Sequence, residues 1–426
     1  MDDTWNNVEL TNISRRKSYT LNHSYDSSAK YSTFNNNENE KPSQESTTSS
    51  ATAQNSNGSS ADQNSLQPGS DIKPNITSGQ VESLLRRLFG ITIGEMKELL
   101  SYDDRNYFIK EDPNIKNPLI VSHCPHGYVL KILNALDSKK EDFVDAQNQL
   151  MLYLSKHIEC PRPVPNVNGK LYSVENINGV EHIVRLLEFV PGQMFHEVPT
   201  TNYLLYQSGE YLAKMDKALK NFQHEAYESH TSTWQLQSVP QLKKFLYVLE
   251  DHSRKALVEE IIEAFESNVL TKLDTFEMQI IHGDFNEQNI VVESCANGTD
   301  NKIKGIIDFG DTNKSPILFE IGIALTYMLL QAKNLESGGV FLAGYETILP
   351  LSSEIKSYLK YCVAARLAQS LVMGAYTHSL HPSNEYVLVT QAQGWKLIEE
   401  LWREKFDTID EIWKTTCDKY LQSSVK

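Results

Sequence analysis

Between Thr33 and Ile72 the chain carries very few aliphatic residues, and from Ser78 onward they return at helical spacing as Val81, Leu84, Leu85, Leu88 and Phe89, stopping at Gly90. A glycine there can close a helix in the left-handed conformation, so the run predicts a helix capped at Gly90 and the start of the ordered protein. The stretch before it is rich in Ser, Thr, Asn, Gln and Asp. It cannot bury enough apolar surface to offset the entropy of ordering, and residues 1–76 are expected to form a disordered tail.

Shorter apolar runs follow. Glu95 to Leu100 and Tyr107 to Ile109 read as strands around the polar turn Ser101-Tyr102-Asp103-Asp104-Arg105-Asn106, and Tyr128 to Ile132 reads as a third strand. Glu141 to Ser155 places Phe143, Leu150, Met151 and Leu154 on one helical side. Pro161 to Pro165 breaks the chain, and Leu171 to Val174 and Ile183 to Phe189 are two further strands. Beyond Pro191-Gly192 the pattern turns helical, over Tyr203 to Lys220, Val239 to Leu249, Ser253 to Leu270, Ile321 to Leu330, Phe341 to Ile348, Ile355 to Gly374 and Tyr386 to Trp402. Inside this half, Ile290 to Val292 and Lys304 to Ile307 form a hairpin around a polar turn containing Gly298. The expected class is α+β, with a small strand-rich part over 77–190, a mainly helical part over 191–426 and no internal repeat.

The hairpin ends carry the chemistry. His282-Gly283-Asp284 and Asn289 precede it, five positions separating Asp284 from Asn289, and Asp308-Phe309-Gly310-Asp311 follows it, Asp308 lying nineteen positions after Asn289. Asp284, Asn289 and Asp308 would converge, giving one carboxylate to orient a hydroxyl and two oxygen ligands for Mg2+. Phosphoryl transfer needs such a set, because its loose transition state calls for positioning and charge neutralisation more than covalent chemistry. Lys131 stands alone in the apolar run Val129, Leu130, Ile132 and Leu133, where it either snorkels to solvent or points into a site.

Composition narrows the partners. A formal net charge of −15 without a compensating Lys/Arg-rich run argues against nucleic acid. No apolar run reaches membrane-spanning length and the N-terminus has no signal-peptide core, so no membrane association is expected. Cys124, Cys160, Cys295, Cys362 and Cys417 are scattered, as expected of reduced thiols in a cytoplasmic protein. Asn57 to Ser59 is then a chance glycosylation match, while Arg15-Arg16-Lys17-Ser18 has the pattern of a basophilic kinase substrate. His224 and His230 lack a third ligand at suitable spacing and read as surface or packing residues. Nothing in the pattern sets an oligomeric state.

In order and spacing the hairpin motifs resemble the catalytic loop and metal-binding segment of the aminoglycoside phosphotransferase family. The likeness runs over about residues 78–420, through Ser101-Tyr102-Asp103-Asp104, Tyr128-Val129-Leu130-Lys131-Ile132, Gln147-Asn148, Arg185-Leu186-Leu187, Pro191-Gly192, Leu212-Ala213-Lys214-Met215-Asp216, Asn286-Glu287-Gln288-Asn289-Ile290 and Ile306-Ile307-Asp308-Phe309-Gly310-Asp311. It implies a bilobal protein kinase-like fold with a small β-rich N-lobe and a large helical C-lobe. In that fold Lys131 would hold the nucleotide phosphates, Ser101 and its turn would meet a phosphate, and Glu188 and Val190 would form the hinge that binds the purine. Asp284 would accept or orient the acceptor proton, Asn289 and Asp308 would bind Mg2+, and Glu320 would brace the loop backbone. Two departures stand out: the Ser101 turn contains no glycine, and Gln147 occupies the place of the glutamate that pairs with the lysine, with Glu141 and Asp145 nearby.

Within the family, the likeness is to the branch that uses GTP, with ATP as the alternative donor, to phosphorylate the 5-hydroxyl of 5-hydroxy-L-lysine. Donor and acceptor come from the resemblance alone. Such an amino acid brings two ammonium groups and one carboxylate, making Asp311 and Glu287 acidic candidates and Arg185 or Arg366 candidates for the carboxylate. A surface salt bridge is an equal reading for each of the four. Choline, ethanolamine, homoserine or an aminoglycoside would use the same catalytic set, and a nucleotide-binding pseudokinase is the alternative from another class. A protein kinase would need a glycine loop and an Ala-Pro-Glu segment, and neither is visible.

Overall fold

The structure is a computed structural model that describes residues 72–114, 123–295, 300–383 and 385–424. The expectations for the tail up to residue 71, for Arg15 to Ser18, for Asn57 and for the Gly298 turn lie outside the described residues, whereas residues 72–76, expected in the tail, are packed, with Ile76 buried and Lys73 bonded to the carbonyls of Ser101 and Tyr102. The first helix, α1 (Ser78–Leu84), continues through a π-helical turn, Leu85–Phe89, to Gly90 at φ 63°. Its start is fixed by a capping box in which Thr77 and Gln80 exchange hydrogen bonds.

Six antiparallel strands follow in the first half: β1 (Ile93–Leu99), β2 (Arg105–Glu111), β3 (Tyr128–Ile132), β4 (Pro163–Val164), β5 (Ser173–Ile177) and β6 (Val180–Glu188), ordered β1-β2-β3-β6-β4 with β5 also on β6. Register pairs Lys131 with Asn106 on one side and with Arg185 on the other. One face of the sheet buries Ile109, Leu130, Ile132 and Leu186 against Val81, Leu85 and Phe89 of the first helix. Helix α2 (Glu141–Leu154) faces the other way. It buries Ala146, Leu150, Met151 and Leu154 in the core of the helical half, at roughly 2 kcal/mol for each large side chain, while Val144 packs on Ile183 of the sheet. This helix therefore helps tie the two parts together.

The second half contains β7 (Gln193–Met194), α3 (Asn202–Leu219), α4 (His252–Asn268), β8 (Met278–Ile281), β9 (Ile290–Ser294), β10 (Asn301–Ile306), β11 (Asn313–Pro316), α5 (Ile317–Ala332), α6 (Ser337–Glu346), α7 (Ser353–Leu380), α8 (Gln391–Arg403) and α9 (Phe406–Ser424). The hairpin expected around the catalytic motifs is β9 with β10, and β7 joins it. Among the elements that differ from expectation, α9 lies beyond the last expected helix, and two others take a different form. Val239 to Leu249 is not an α-helix but two 3-10 segments, Leu236–Lys244 and Leu246–Val248, because Pro240 supplies no backbone donor. Asn313–Pro316, where no strand was expected, pairs with β8 before Pro316 caps α5.

Candidate active site

The loop expected to be catalytic lies between β8 and β9, and its shape follows from its own residues. Asn286 Oδ1 accepts hydrogen bonds from the amides of Gln288 (2.8 Å) and Asn289 (3.1 Å), an Asx turn that brings Asn289 back toward Asp284. Asn289 Nδ2 then donates to Asp284 Oδ2 (2.7 Å) and to its carbonyl (3.0 Å). Gly283 sits at φ 78°, and a Cβ there would overlap the carbonyl of Asp311. Only glycine lets the two motifs approach so closely. Glu320 of α5 is fully buried and accepts the Gly283 amide at 2.8 Å, bracing the loop from behind.

His282 joins the two motifs. Its Nε2 lies 3.1 Å from the carbonyl of Ile307, and its Nδ1 accepts the Asp284 amide at 3.3 Å, which assigns a neutral ring with the proton on Nε2. Burial lowers its pKa to about 4, with the Asp308 charge opposing the shift. Asp308 itself adopts φ 60°, a left-handed conformation that costs a non-glycine residue about 1–3 kcal/mol and is held here by its surroundings. Its Oδ1 accepts Lys131 Nζ at 2.7 Å and the Gly310 amide at 3.3 Å. Burial pushes the Asp308 carboxyl up, but the charge and hydrogen bond of Lys131, with the Arg185 charge and the Gly310 amide, together outweigh it and the pKa falls below its usual value.

The structure brings Lys131, Asp284, Asn289, Asp308 and Asp311 into one cluster. Lys131 does not snorkel to solvent; its side chain is 6% exposed and lies between Asp308 and Asp104, the latter at 4.0 Å. Its partner is thus not on α2. Gln147 donates instead to the carbonyl of Gly310 at 2.9 Å, holding the turn that presents Asp308. The Ser101 hydroxyl donates to the Asp104 carbonyl at 2.6 Å, so its proton is committed to shaping the turn. Glu188 is held by Arg162 at 2.7 Å, and Val190 lies buried over Gly305.

The four substrate candidates are placed differently from one another. Asp311 is partly exposed, and its pKa is raised well above the usual value by burial and by the Asp284 charge, with Arg366 opposing. Glu287 is buried, its pKa pushed to about 7 chiefly by burial, and its Oε2 has no hydrogen-bond partner. The surface salt-bridge reading fails for both arginines, each 1% exposed. Arg185 donates to Asn148 at 3.2 Å and has Asp308 and Asp104 as its charged neighbours, which puts it on the Lys131 side of the cluster. Arg366 donates to Asp284 Oδ1 at 2.7 Å, so its charge meets the candidate base. Sequence reasoning also passed over Trp234, Asp104 and Tyr327, since an isolated aromatic or turn aspartate carries no spacing signal. His224 caps a turn through Ala226, and His230 stacks on Phe143 at 3.4 Å, which accounts for both without a metal.

The donor set suits Mg2+. Asn289 donates through Nδ2 and keeps Oδ1 as an oxygen ligand, and Asp308 keeps Oδ2. Among the described residues no cluster of three His, Cys, Asp or Glu side chains could hold a metal alone. A hard cation bound by one carboxylate, one amide and the oxygens of a bound phosphate needs no such cluster.

A profile of the phosphotransferase enzyme family, APH, matches residues 95–351, and the chain belongs to that family. It is a small-molecule kinase, a phosphotransferase with an alcohol group as acceptor. Among curated relatives it is 33% identical to hydroxylysine kinase of Bos taurus, over 82% of this chain and 95% of that protein. It is 34% identical to hydroxylysine kinase of Xenopus laevis, over 82% and 96%. Solved structures with the same bilobal kinase-like fold include the amicoumacin kinase hAmiN, with TM-score 0.58 and 17% identity over 78% of this chain and 97% of that one. A microcompartment-associated aminopropanol kinase matches with TM-score 0.58 and 16% identity, over 76% and 97%. No helix among the described residues is long and apolar enough to cross a membrane.

Proposed function

We propose that this chain transfers the γ-phosphate of GTP to the 5-hydroxyl of 5-hydroxy-L-lysine, with Mg2+ as cofactor. The carrying observation is its identity of about one third to hydroxylysine kinases across nearly their whole length. In this reading Asp284 accepts or orients the proton of the acceptor hydroxyl, in reach of a phosphate held by Lys131. Asn289 and Asp308 hold Mg2+, which supplies charge neutralisation on the transferred group. The Ser101 turn covers the phosphates through its backbone, and Glu188 and Val190 line the purine. Asp311 and Glu287 meet the substrate ammonium groups. The division into a tail at 1–76, an N-lobe at 77–190 and a C-lobe at 191–426 belongs to the same proposal. GTP as donor is compatible with a solved relative, an aminoglycoside 2′-phosphotransferase in complex with GDP (TM-score 0.52).

A second reading comes from homoserine kinases, which match at 24% and 27% identity over 53% and 36% of this chain. The test for both is direct. Full-length protein with Mg2+ and either GTP or ATP is given 5-hydroxylysine, lysine, homoserine, choline and ethanolamine, and nucleoside diphosphate release is followed. Turnover of hydroxylysine but not lysine is expected, faster with GTP. Turnover confined to another amino alcohol discards the substrate and keeps the chemistry, and nucleotide binding without any turnover returns the pseudokinase.

A further inference from the structure

Arg366 lies near the middle of α7 among Val363, Ala364, Ala365, Leu367 and Ala368, all fully buried. An ion in such a place is retained only where its charge and its hydrogen-bonding groups are satisfied. Here Nε donates to the Tyr327 hydroxyl (3.1 Å), one terminal nitrogen to the Trp234 carbonyl (3.1 Å) and Gln369 Oε1 (2.9 Å), and the other to Asp284 Oδ1 (2.7 Å). The rings of Trp234 and Tyr327 lie 5.2 and 5.5 Å from the guanidinium carbon. Three of the four hydrogen bonds go to neutral groups, and these set the direction of the fourth.

The carboxylate of Asp284 is thereby fixed at both oxygens, Oδ1 by Arg366 and Oδ2 by Asn289. Two such bonds determine the plane of the group, which neither determines alone. With 1% of its surface exposed, Arg366 has no open face for a substrate carboxylate. The geometry points to Arg366 as the positioning residue that holds the Asp284 carboxylate in the plane an acceptor hydroxyl must meet, and not as a receptor for the substrate's own carboxylate. This rests on the reading of Asp284 as the group that orients that hydroxyl.

The test compares full-length native chain, Arg366→Met and Arg366→Lys on two acceptors: 5-hydroxylysine and 1,5-diaminopentan-2-ol, which is the same molecule without its carboxylate. Arg366→Met is expected to lower kcat by about 100-fold, the size of a misplaced reacting group, and by the same factor on both acceptors. Both KM values should stay within about threefold, and Arg366→Lys should recover about tenfold in kcat by restoring one charged bond to Asp284. An unchanged kcat with KM raised for hydroxylysine alone would assign Arg366 to the substrate carboxylate and overturn the inference. If Arg366→Met does not fold, Tyr327→Phe removes only the hydroxyl that holds Nε; a kcat about fivefold lower supports the inference and a native kcat sinks it. Should the native chain turn over neither acceptor, the substrate reading fails by itself. A crystal structure of Arg366→Met then decides the positioning, and an Asp284 carboxylate still in its native place overturns it.

Discussion

Asp284 and Asp308 reach the same cluster from two neighbouring turns, and the protein holds them in opposite ways. Asp284 rests on the helical half: its side chain is 20% exposed, bonded by Arg366 of α7 and by Asn289 of its own loop. Burial raises its pKa although Arg366 opposes the shift. Asp308 is 40% exposed, in a strained left-handed turn, and is bonded by a lysine from the opposite half. Its carboxyl is held below the ordinary value. The difference matches the two tasks proposed for them. A group that orients a hydroxyl proton gains from rigid placement and a raised pKa, whereas a metal ligand must stay ionised and keep an oxygen open.

The comparison breaks most visibly at Asp284. Asp284→Asn keeps the size of the side chain but replaces one accepting oxygen by an NH2 donor, so one of the two anchoring bonds is lost together with the proposed base, and kcat is expected to fall by about 10³-fold while nucleotide affinity, read by equilibrium titration, stays native. Lys131→Met attacks the other side: Asp308 loses its counter-charge, and kcat/KM for nucleotide should drop about 100-fold with a smaller change in KM for the acceptor. Gly283→Ala tests the contact between the two turns. A Cβ at φ 78° against the Asp311 carbonyl should cost about 1–3 kcal/mol and lower the melting temperature, with the helical core otherwise intact.

The smallest effect at neutral pH concerns the buried histidines. Burial lowers His282 to about 4 and His230 to about 3, where the unfolded chain protonates near 6.5. The unfolded state therefore binds more protons below pH 6.5, so the stability present above that value is lost as pH falls toward 4. Denaturant melts between pH 7 and 4 should show the decline, and His230→Phe, which retains the stack on Phe143, should make it shallower. An unchanged slope in that variant would mean that His230 is not part of the acid response.

Local patterns were legible where one residue type can do only one thing. Gly90 caps its helix, and the hairpin between the two motifs follows from apolar runs around a polar turn. Val239 to Leu249 failed because helical spacing of apolar residues is shared by a 3-10 run, and the proline decided. The pairing of β11 with β8 was invisible, since four residues such as Asn313-Lys314-Ser315-Pro316 have no strand-like period and acquire one only from a partner.

The chain by itself determined which residues could do phosphoryl transfer and in what order they come, because Asp284, Asn289 and Asp308 lie within one short loop and hairpin whose geometry local turns dictate. Tertiary structure decided what each charge is paired with. Gln147 holds Gly310 where a glutamate for Lys131 was sought, and Arg366, 82 positions after Asp284 in sequence, ends at its carboxylate. The physical reason is that a buried ion takes whichever counter-charge the packing of distant helices sets beside it. Spacing along the chain carries no record of that choice.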